Sequence, residues 1–281
     1  MIHCPQLGNA AIRNLLHHDP NLSNLYSFSS SKLQQLLQLK NSSMKIFSND
    51  FQKVDVKRIL EKYRANDISI VTIYDNEYPE MLKEIYDPPL ALFTLGEKSL
   101  LKRNSIAIVG ARTADVYAKQ AIESLLGPLL ERDMVIVSGL AKGTDTFAHR
   151  LTIQLGGKTI AVLGGGFFHL YPPENKQLAE QIKKGHLLVS EYPPIWRPQK
   201  WYFPMRNRII SGLAKGTVIV QAKVRSGSLI TADYALEEGR EVFAVPGPIG
   251  APLSEGTNKL IQQGAKLVTS GNDILEELYM D

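Results

Sequence analysis

The chain has 281 residues, of which 44% are apolar and 21% are charged, a composition that is ordinary for a globular protein with a sizeable core. Its formal net charge of +4 is too small to indicate a nucleic-acid partner by itself, so the placement of the charges matters more. The single cysteine, Cys4, excludes an internal disulfide, and the six histidines lack metal-ligand spacing, so we expect no metal site. A signal-peptide pattern and a membrane-spanning apolar run are both missing from the sequence, which predicts a cytoplasmic protein with no membrane partner.

The first 65 residues predict a small helical domain. Apolar residues at helical spacing follow Pro5, Ser31 is placed to cap a second helix, and a third helix is predicted over 54–63. A Leu-Gly turn at Leu7 leaves two interpretations open. One is a SAM-like or helix-hairpin-helix-like domain that contacts DNA, and the other, which we favour, is an αα-corner in a helical bundle. Residues 66–104 contain short apolar runs and prolines, and predict a strand-containing connection that joins the core.

Residues 105–281 show a regular alternation of uninterrupted apolar strands with helical segments. The strands are predicted at 106–109, 134–137, 159–163, 187–189, 217–220 and 241–245. Such strands are typical of a mostly parallel sheet that is covered by helices on both faces, which is a Rossmann-like α/β fold. In these sheets ligands bind beyond the carboxyl ends of the strands, where the strand order reverses, so the important turns should gather there.

Glycine-bearing turns follow several of the predicted strands. Glycine lets the backbone approach a ligand closely, and the amides at a helix N-terminus favour phosphate. A tight strand-to-helix turn also needs glycine for purely structural reasons, so both interpretations stay open for each turn. The candidate phosphate-loop residues are Gly110, Ser138, Gly139, Gly143, Gly164 and Gly227.

The segment from Tyr192 to Ala232 has 41 residues and contains no Asp or Glu. Basic side chains follow a phosphate backbone and aromatic faces accept stacked bases, so this interleaving is typical of single-stranded nucleic-acid binding. The alternative is that the aromatic residues are core residues and the arginines form ion pairs. We favour an extended loop with at least one stacking ring, because four prolines accompany the aromatic residues. The seven basic residues are Arg197, Lys200, Arg206, Arg208, Lys215, Lys223 and Arg225, and the aromatic candidates are Trp196, Trp201, Tyr202 and Phe203. Ser226 and Ser228 are placed to cap a helix or to hold phosphate oxygens.

Evidence for catalysis is weak. No G-x-S-x-G nucleophile elbow is present, so we expect no catalytic residues and no enzymatic activity. Asp145 and His149 share a face of a predicted helix and could form an acid/base pair, but we favour a structural role in which they tie the helix to the sheet.

These motifs together resemble the DprA/Smf family, from about Tyr78 to the C-terminus. The resemblance is carried by Ile106–Arg112, Ser138–Gly143, Phe203–Leu213, Ser226–Ala232, Gly239–Gly247 and Leu260–Ala265. It implies a Rossmann-like core with a helical N-terminal domain. It also implies a homodimer that binds single-stranded DNA and loads the RecA recombinase during natural transformation. At the site, the resemblance implies that Arg112 contacts phosphate, Lys200 lines the same pocket and Phe203 stacks a base, with Lys142, Arg206 and Arg208 as neighbours.

The sequence departs from the family pattern at a few positions. Gln221 stands where the family usually has Glu, which puts any catalytic role of that position in doubt, and Ala111 replaces a usual Ser. An alternative function is a Rossmann-like phosphoribohydrolase that cleaves nucleotides, but its Pro-Gly-Gly-x-Gly-Thr turn is not found. A third possibility is a nucleotide-sensing module whose main partner is a protein.

Overall fold

The computed structural model describes residues 1–279, and these divide into two compact units. The first unit, Met1–Asp67, contains four helices. They are α1 (Asn9–His18), α2 (Ser30–Leu37), α3 (Asn41–Lys53) and α4 (Val56–Arg64). Leu15, Leu37 and Phe47 are buried at its centre. The predicted start of the second helix is close to the observed one, although Ser29 rather than Ser31 provides the N-cap. The assignment of this unit to a SAM-like or helix-hairpin-helix-like class stays a prediction.

The second unit, from Ile68 onward, is built around one nine-stranded sheet. Its strands are β1 (Ile68–Thr72), β2 (Ala91–Gly96), β3 (Ser105–Val109), β4 (Val135–Ser138), β5 (Thr159–Leu163), β6 (Leu187–Ser190), β7 (Gly216–Ile219), β8 (Glu241–Ala244) and β9 (Lys266–Leu267). The helices are α5 (Glu80–Lys83), α6 (Val116–Glu131), α7 (Thr144–Gln154), α8 (Lys176–Gly185), α9 (Tyr202–Gly212), α10 (Gly227–Glu237), α11 (Glu255–Gln262) and α12 (Gly271–Leu278). The mostly parallel α/β fold predicted from the apolar runs is confirmed.

The sheet order is β1-β2-β6-β5-β4-β3-β7-β8-β9. All neighbouring pairs from β6 to β9 are parallel, whereas β1 and β2 extend the sheet with antiparallel pairing. The segment predicted as a connection over 66–104 therefore supplies two strands of the same sheet. Along the chain, β3 to β6 add strands in one direction and β7 to β9 add them in the other. The strand order consequently reverses between β3 and β7.

Two apolar cores cover the two faces of the sheet. In β3, Ala107 and Val109 belong to one core, whereas Ile106 and Ile108 belong to the other. This division follows from the period of two in a strand, which sends successive side chains to opposite faces. No helix within residues 1–279 has both the length and the apolar character that crossing a membrane requires.

Candidate nucleic-acid interface

A large cleft lies at the carboxyl ends of β3 and β7. Its volume is about 680 Å³, and its walls come from the turn after β3, the start of α9 and the loop between β7 and α10. Because the strand order reverses between β3 and β7, this is the place where a doubly wound sheet binds ligands. The cleft brings together nine of the sequence-predicted residues, which are Gly110, Arg112, Lys200, Phe203, Arg206, Lys223, Ser226, Gly227 and Ser228.

The turn after β3 presents Arg112 at the rim of the cleft. The start of α7 holds this turn, because the amide and the hydroxyl of Thr144 both donate to the carbonyl of Ala111, at 3.1 and 3.2 Å. Gly143 has a φ of +75° and packs so closely on Ala111 and Arg112 that a side chain at this position would collide with them. Gly143 is thus placed behind the turn, where it supports the position of Arg112.

A second contact fastens the turn after β3 to the end of β7. The Gln221 Nε2 donates to Asp115 Oδ1 at 2.9 Å, and the Asp115 amide donates to Gln221 Oε1 at 3.4 Å. Gln221 is buried, and Asp115 also caps α6 by accepting from the Ala118 amide. At the position where the family usually has Glu, this chain therefore carries an amide that supports the Arg112 turn.

The N-terminus of α10 forms the opposite wall. The hydroxyl groups of Ser226 and Ser228 lie 2.8 Å apart and bond to each other, and the Ser226 side chain makes no cap hydrogen bond to the helix. Asn207 ties this wall to α9, since its Nδ2 donates to the Gly227 carbonyl at 3.1 Å. The exposed Lys223 precedes the wall. Amides at a helix start beside a lysine are suited to anionic oxygen atoms.

Phe203 lies in the first turn of α9 and is half-buried. Its ring packs on Gly164, where a Cβ atom would lie 2.8 Å from the Phe203 Cδ1. It also contacts Tyr171, whose ring centroid is 5.6 Å away. Gly164 is buried beneath the ring and does not line the main cleft, so its place in the structure is to make room for Phe203.

Arg206 forms the buried floor of the cleft. Its Nη1 donates to the carbonyl of Val162 at 2.8 Å, and its Nε has no hydrogen-bond partner among the described residues. Burial lowers the pKa of Arg206 to about 10, against the opposing pull of Asp145, so the guanidinium stays charged at neutral pH. Gly139 packs directly against this guanidinium, and any side chain there would collide with it.

Ser138 and Asp145 hold the loop beneath Arg206. The Ser138 hydroxyl donates to the Ile108 carbonyl at 2.7 Å, while the Asp145 carboxylate accepts from the amides of Gly139 and Ala141 at 3.1 and 3.2 Å. Burial raises the pKa of Asp145, although Arg206 and these amides oppose the shift. Ser138 and Gly139 therefore lie below the cleft, where they organise its floor.

Three of the predicted cations lie outside the main cleft. Arg208 is buried and pairs with Glu191 at 2.7 Å and Asp87 at 3.5 Å, so its charge is already balanced within the protein. Lys142 pairs with Glu174 at 2.5 Å on the surface. The exposed side chain of Arg225 lines a neighbouring groove instead. The first two pairs bring together residues that are distant in sequence, and the local sequence carries no signal for them.

Arg112, Lys200 and Lys223 have a different environment from those three cations. All three are exposed, all three line the cleft, and none forms an ion pair within residues 1–279. The sequence analysis missed Tyr171, whose side chain is 53% exposed and lies at the edge of the cleft beside Phe203. The Tyr-Pro pair that follows the three-glycine turn was a signal for it.

His149 and Asp145 do not form an acid/base pair. The His149 Nδ1 lies 2.7 Å from the Thr159 hydroxyl on β5, and burial lowers the pKa of His149 to about 3. Since Asp145 bonds to the loop after β4, both residues tie α7 to the sheet. No group of three or more metal-ligating side chains occurs in the described part of the chain.

Comparison with known proteins shows that the chain is similar to DNA-processing proteins. The family model described as DNA recombination-mediator protein A matches residues 69–279. The chain is 53% identical over 222 residues to DNA processing protein DprA of Bacillus subtilis strain 168, which covers 79% of this chain and 75% of that protein. It is 52% identical over 232 residues to DNA processing protein DprA of Streptococcus pneumoniae R6, with 83% of this chain and 81% of that protein covered.

Two solved structures of DNA-processing proteins also resemble this chain. The X-ray structure of DNA processing protein A from Streptococcus pneumoniae aligns with a TM-score of 0.88 at 41% identity, and covers 100% of this chain and 96% of that chain. DNA processing protein A from Helicobacter pylori aligns with a TM-score of 0.68 at 30% identity, over 75% of this chain and 95% of that chain. The work on the Helicobacter pylori protein concerns its unique single-stranded DNA binding mode.

Proposed function

This chain belongs to the DNA recombination-mediator protein A family, and from that premise we propose that it binds single-stranded DNA in the cleft after β3 and β7. We further propose that it acts as a mediator in DNA processing during natural transformation rather than as an enzyme. One observation carries the proposal: Arg112, Lys200 and Lys223 are exposed around a single cleft without ion-pair partners in the described chain, and a half-exposed Phe203 lies among them.

Phosphate is the ligand that these cations suit best. Each unpaired cation that contacts a phosphate releases counterions from the DNA, and this release favours binding without any base specificity. The buried Arg206 lies below the cleft, where the nearby Asp145 offsets part of its positive charge. The hydroxyls of Ser226 and Ser228 and the start of α10 supply neutral donors on the opposite wall.

The aromatic ring indicates a single strand rather than a duplex. In a duplex the faces of the bases are stacked on one another, whereas a single strand offers a free face to a protein ring. Phe203 is held between Gly164 and Tyr171, so little rotational freedom has to be lost when a base stacks on it. We therefore assign base stacking to Phe203 and phosphate binding to Arg112, Lys200 and Lys223.

A titration with single-stranded and duplex oligonucleotides of equal length, at two salt concentrations, tests this assignment. We expect preferential binding of the single strand, with log affinity falling linearly with log salt by about 0.7 per phosphate contacted. The double variant Arg112→Glu, Phe203→Ala should lose binding. Lys142→Gln is the matched control, because it removes an exposed lysine that is already paired with Glu174. Unchanged affinity of the double variant would refute the assignment.

The family relationship also supports two proposals about protein partners. We propose that the chain acts as a homodimer and that it loads the RecA recombinase onto the bound strand. The first is tested by sedimentation of the full chain over a range of concentrations. The second is tested by RecA filament formation on single-stranded DNA that is covered by a single-strand-binding protein. A monomer at all concentrations, or filament formation at the same rate without the protein, would refute the respective proposal.

A further inference from the structure

A series of four aromatic rings runs along the segment that leads into the cleft. Trp201 contacts Tyr202 with ring centroids 4.2 Å apart and planes at 77°. Tyr202 stacks on Tyr192 at 3.8 Å, and Tyr192 lies 6.4 Å from Trp196. The two tyrosines are buried, whereas the Trp201 side chain is 63% exposed. A buried ring thus supports Trp201 from one side, while most of its own surface faces solvent.

The exposure of Trp201 is unusual for so large an apolar side chain. Tryptophan has the largest aromatic surface to bury, and leaving it in water gives up much of the stabilisation that burial would provide. Tryptophan and tyrosine faces also accept nucleic-acid bases of any sequence. An exposed ring that a neighbouring ring holds in place is organised for stacking before any ligand arrives.

The surroundings of Trp201 are basic and continuous with the cleft. Lys200 precedes it directly and lines the cleft, and the Cα atoms of consecutive residues are only ~3.8 Å apart. Arg197 is also exposed, and no Asp or Glu occurs between Tyr192 and Ala232. Glu191, just before this segment, pairs with the buried Arg208. A polyanion that leaves the cleft past Lys200 therefore meets Trp201 without meeting a carboxylate of this segment.

We propose that Trp201 is a second base-stacking platform, outside the cleft, for single-stranded nucleic acid that is bound at Phe203. The proposal rests on the proposed function and extends it, because it gives the strand two stacking rings, Phe203 inside the cleft and Trp201 outside it. Trp196 has no such role. It is half-buried, and its backbone is fixed on both sides, since its amide donates to the Pro193 carbonyl and its carbonyl accepts from Gly166.

Fluorescence can test this proposal directly, because Trp196 and Trp201 are the two tryptophans of the chain. In the full-length Trp196→Phe variant, emission comes from Trp201 alone, and in Trp201→Phe it comes from Trp196 alone. We expect a long oligothymidylate to quench the emission of Trp196→Phe strongly and that of Trp201→Phe weakly. Equal quenching in the two variants, or none in Trp196→Phe while the oligonucleotide is bound, would overturn the proposal.

Affinity gives the second measurement. Trp201→Ala should weaken binding of the long oligothymidylate by about 5- to 150-fold, which is the range expected for losing one stacked base. Trp201→Phe should restore most of the loss, because it keeps a ring, and Trp196→Ala at an unchanged melting temperature should bind as the wild type does. Wild-type affinity in Trp201→Ala, alongside loss of binding in Arg112→Glu, would overturn the proposal but leave the proposed function intact. Absence of binding by the wild type would instead refute the proposed function.

Discussion

Replacing Gln221 by Glu is the most informative single change near the cleft, because it places a carboxylate against Asp115 and so tests whether the amide supports the turn that carries Arg112. In this chain the Gln221 Nε2 donates to Asp115 Oδ1 at 2.9 Å, so the substitution would bring two carboxylate oxygens to that separation. Two like charges ~4 Å apart repel by ~4 kcal/mol at an effective dielectric constant of 20. Because Asp115 is exposed, water screens much of this, and we expect a loss of ~2 kcal/mol in the free energy of unfolding, comparable to losing a hydrogen bond to a charged group.

The pH dependence of Gln221→Glu distinguishes repulsion from a packing defect. The neighbouring charge raises the folded-state pKa of the introduced carboxyl above its unfolded value of ~4.3. The folded variant therefore binds more protons, so its deficit relative to the wild type grows as the pH rises through the raised pKa and shrinks toward pH 5. Chemical denaturation at pH 5 and 8 measures this change. Gln120→Glu places the same charge on an exposed face of α6 and is the control.

The same variant should also bind single-stranded DNA less well, because the turn that carries Arg112 loses its fastening to β7. We expect up to a tenfold weaker affinity at pH 8, which corresponds to ~1.4 kcal/mol. Adding Asp115→Asn supplies an amide donor opposite the new carboxylate and should recover both stability and affinity. A deficit that is independent of pH, or that Asp115→Asn fails to reduce, would refute this account of Gln221.

Three other predictions follow from the environments of single residues. Arg112→Ala should weaken DNA binding and change the free energy of unfolding by less than ~0.5 kcal/mol. Arg208→Ala removes a buried guanidinium that pairs with Glu191 and Asp87, and should cost ~2–3 kcal/mol in denaturant titrations. Gly164→Ala should displace the Phe203 ring and weaken oligonucleotide binding by up to ~3 kcal/mol, measured by fluorescence anisotropy. An unchanged affinity would mean that the position of the ring does not matter for binding. Burial lowers the pKa of His149 to about 3, so as the pH drops His149 takes up a proton in the unfolded chain before it does so in the folded one. The free energy of unfolding should therefore fall as the pH drops from ~6.5 toward 3, and His149→Gln should flatten this dependence.

The core of the fold was predictable from the sequence because its signals are local. The predicted strands β3 to β8 are apolar runs that end at polar or glycine-bearing turns, and they alternate with helices. The parallel strand β9 was not predicted, because it is an exposed pair of residues, Lys266–Leu267, with no apolar run. The helix α3, over Asn41–Lys53, was missed because Lys40 at its N-cap provides no capping side chain that would mark its start. The segment before Phe203 was predicted to be an extended loop, and that description fits residues 193–201. Phe203 itself already lies in α9, where Pro204 is tolerated because the first helical turn needs no amide donor.

Which basic residues form ion pairs within the protein and which line the cleft could not be predicted, because this depends on contacts between distant parts of the chain. Arg206 is buried because Gly139 leaves space for its guanidinium and the carbonyl of Val162 accepts from it. Lys142 meets Glu174, which follows it by 32 residues. In the sequence these side chains look the same as Arg112, and only the tertiary structure separates the paired cations from the unpaired ones.

The segment over 192–232 contains no Asp or Glu, so its positively charged side chains would repel one another if none of them were paired. The fold avoids this by supplying carboxylates from outside the segment to the arginines that face inward. Arg208 receives Glu191 and Asp87, and Arg206 lies near Asp145. The lysines at the cleft receive none of these partners, so their charge stays available to an anion. Because the inward-facing Arg208 is paired within the protein and the cations at the cleft are not, the segment presents a positive surface while its buried arginine keeps carboxylate partners.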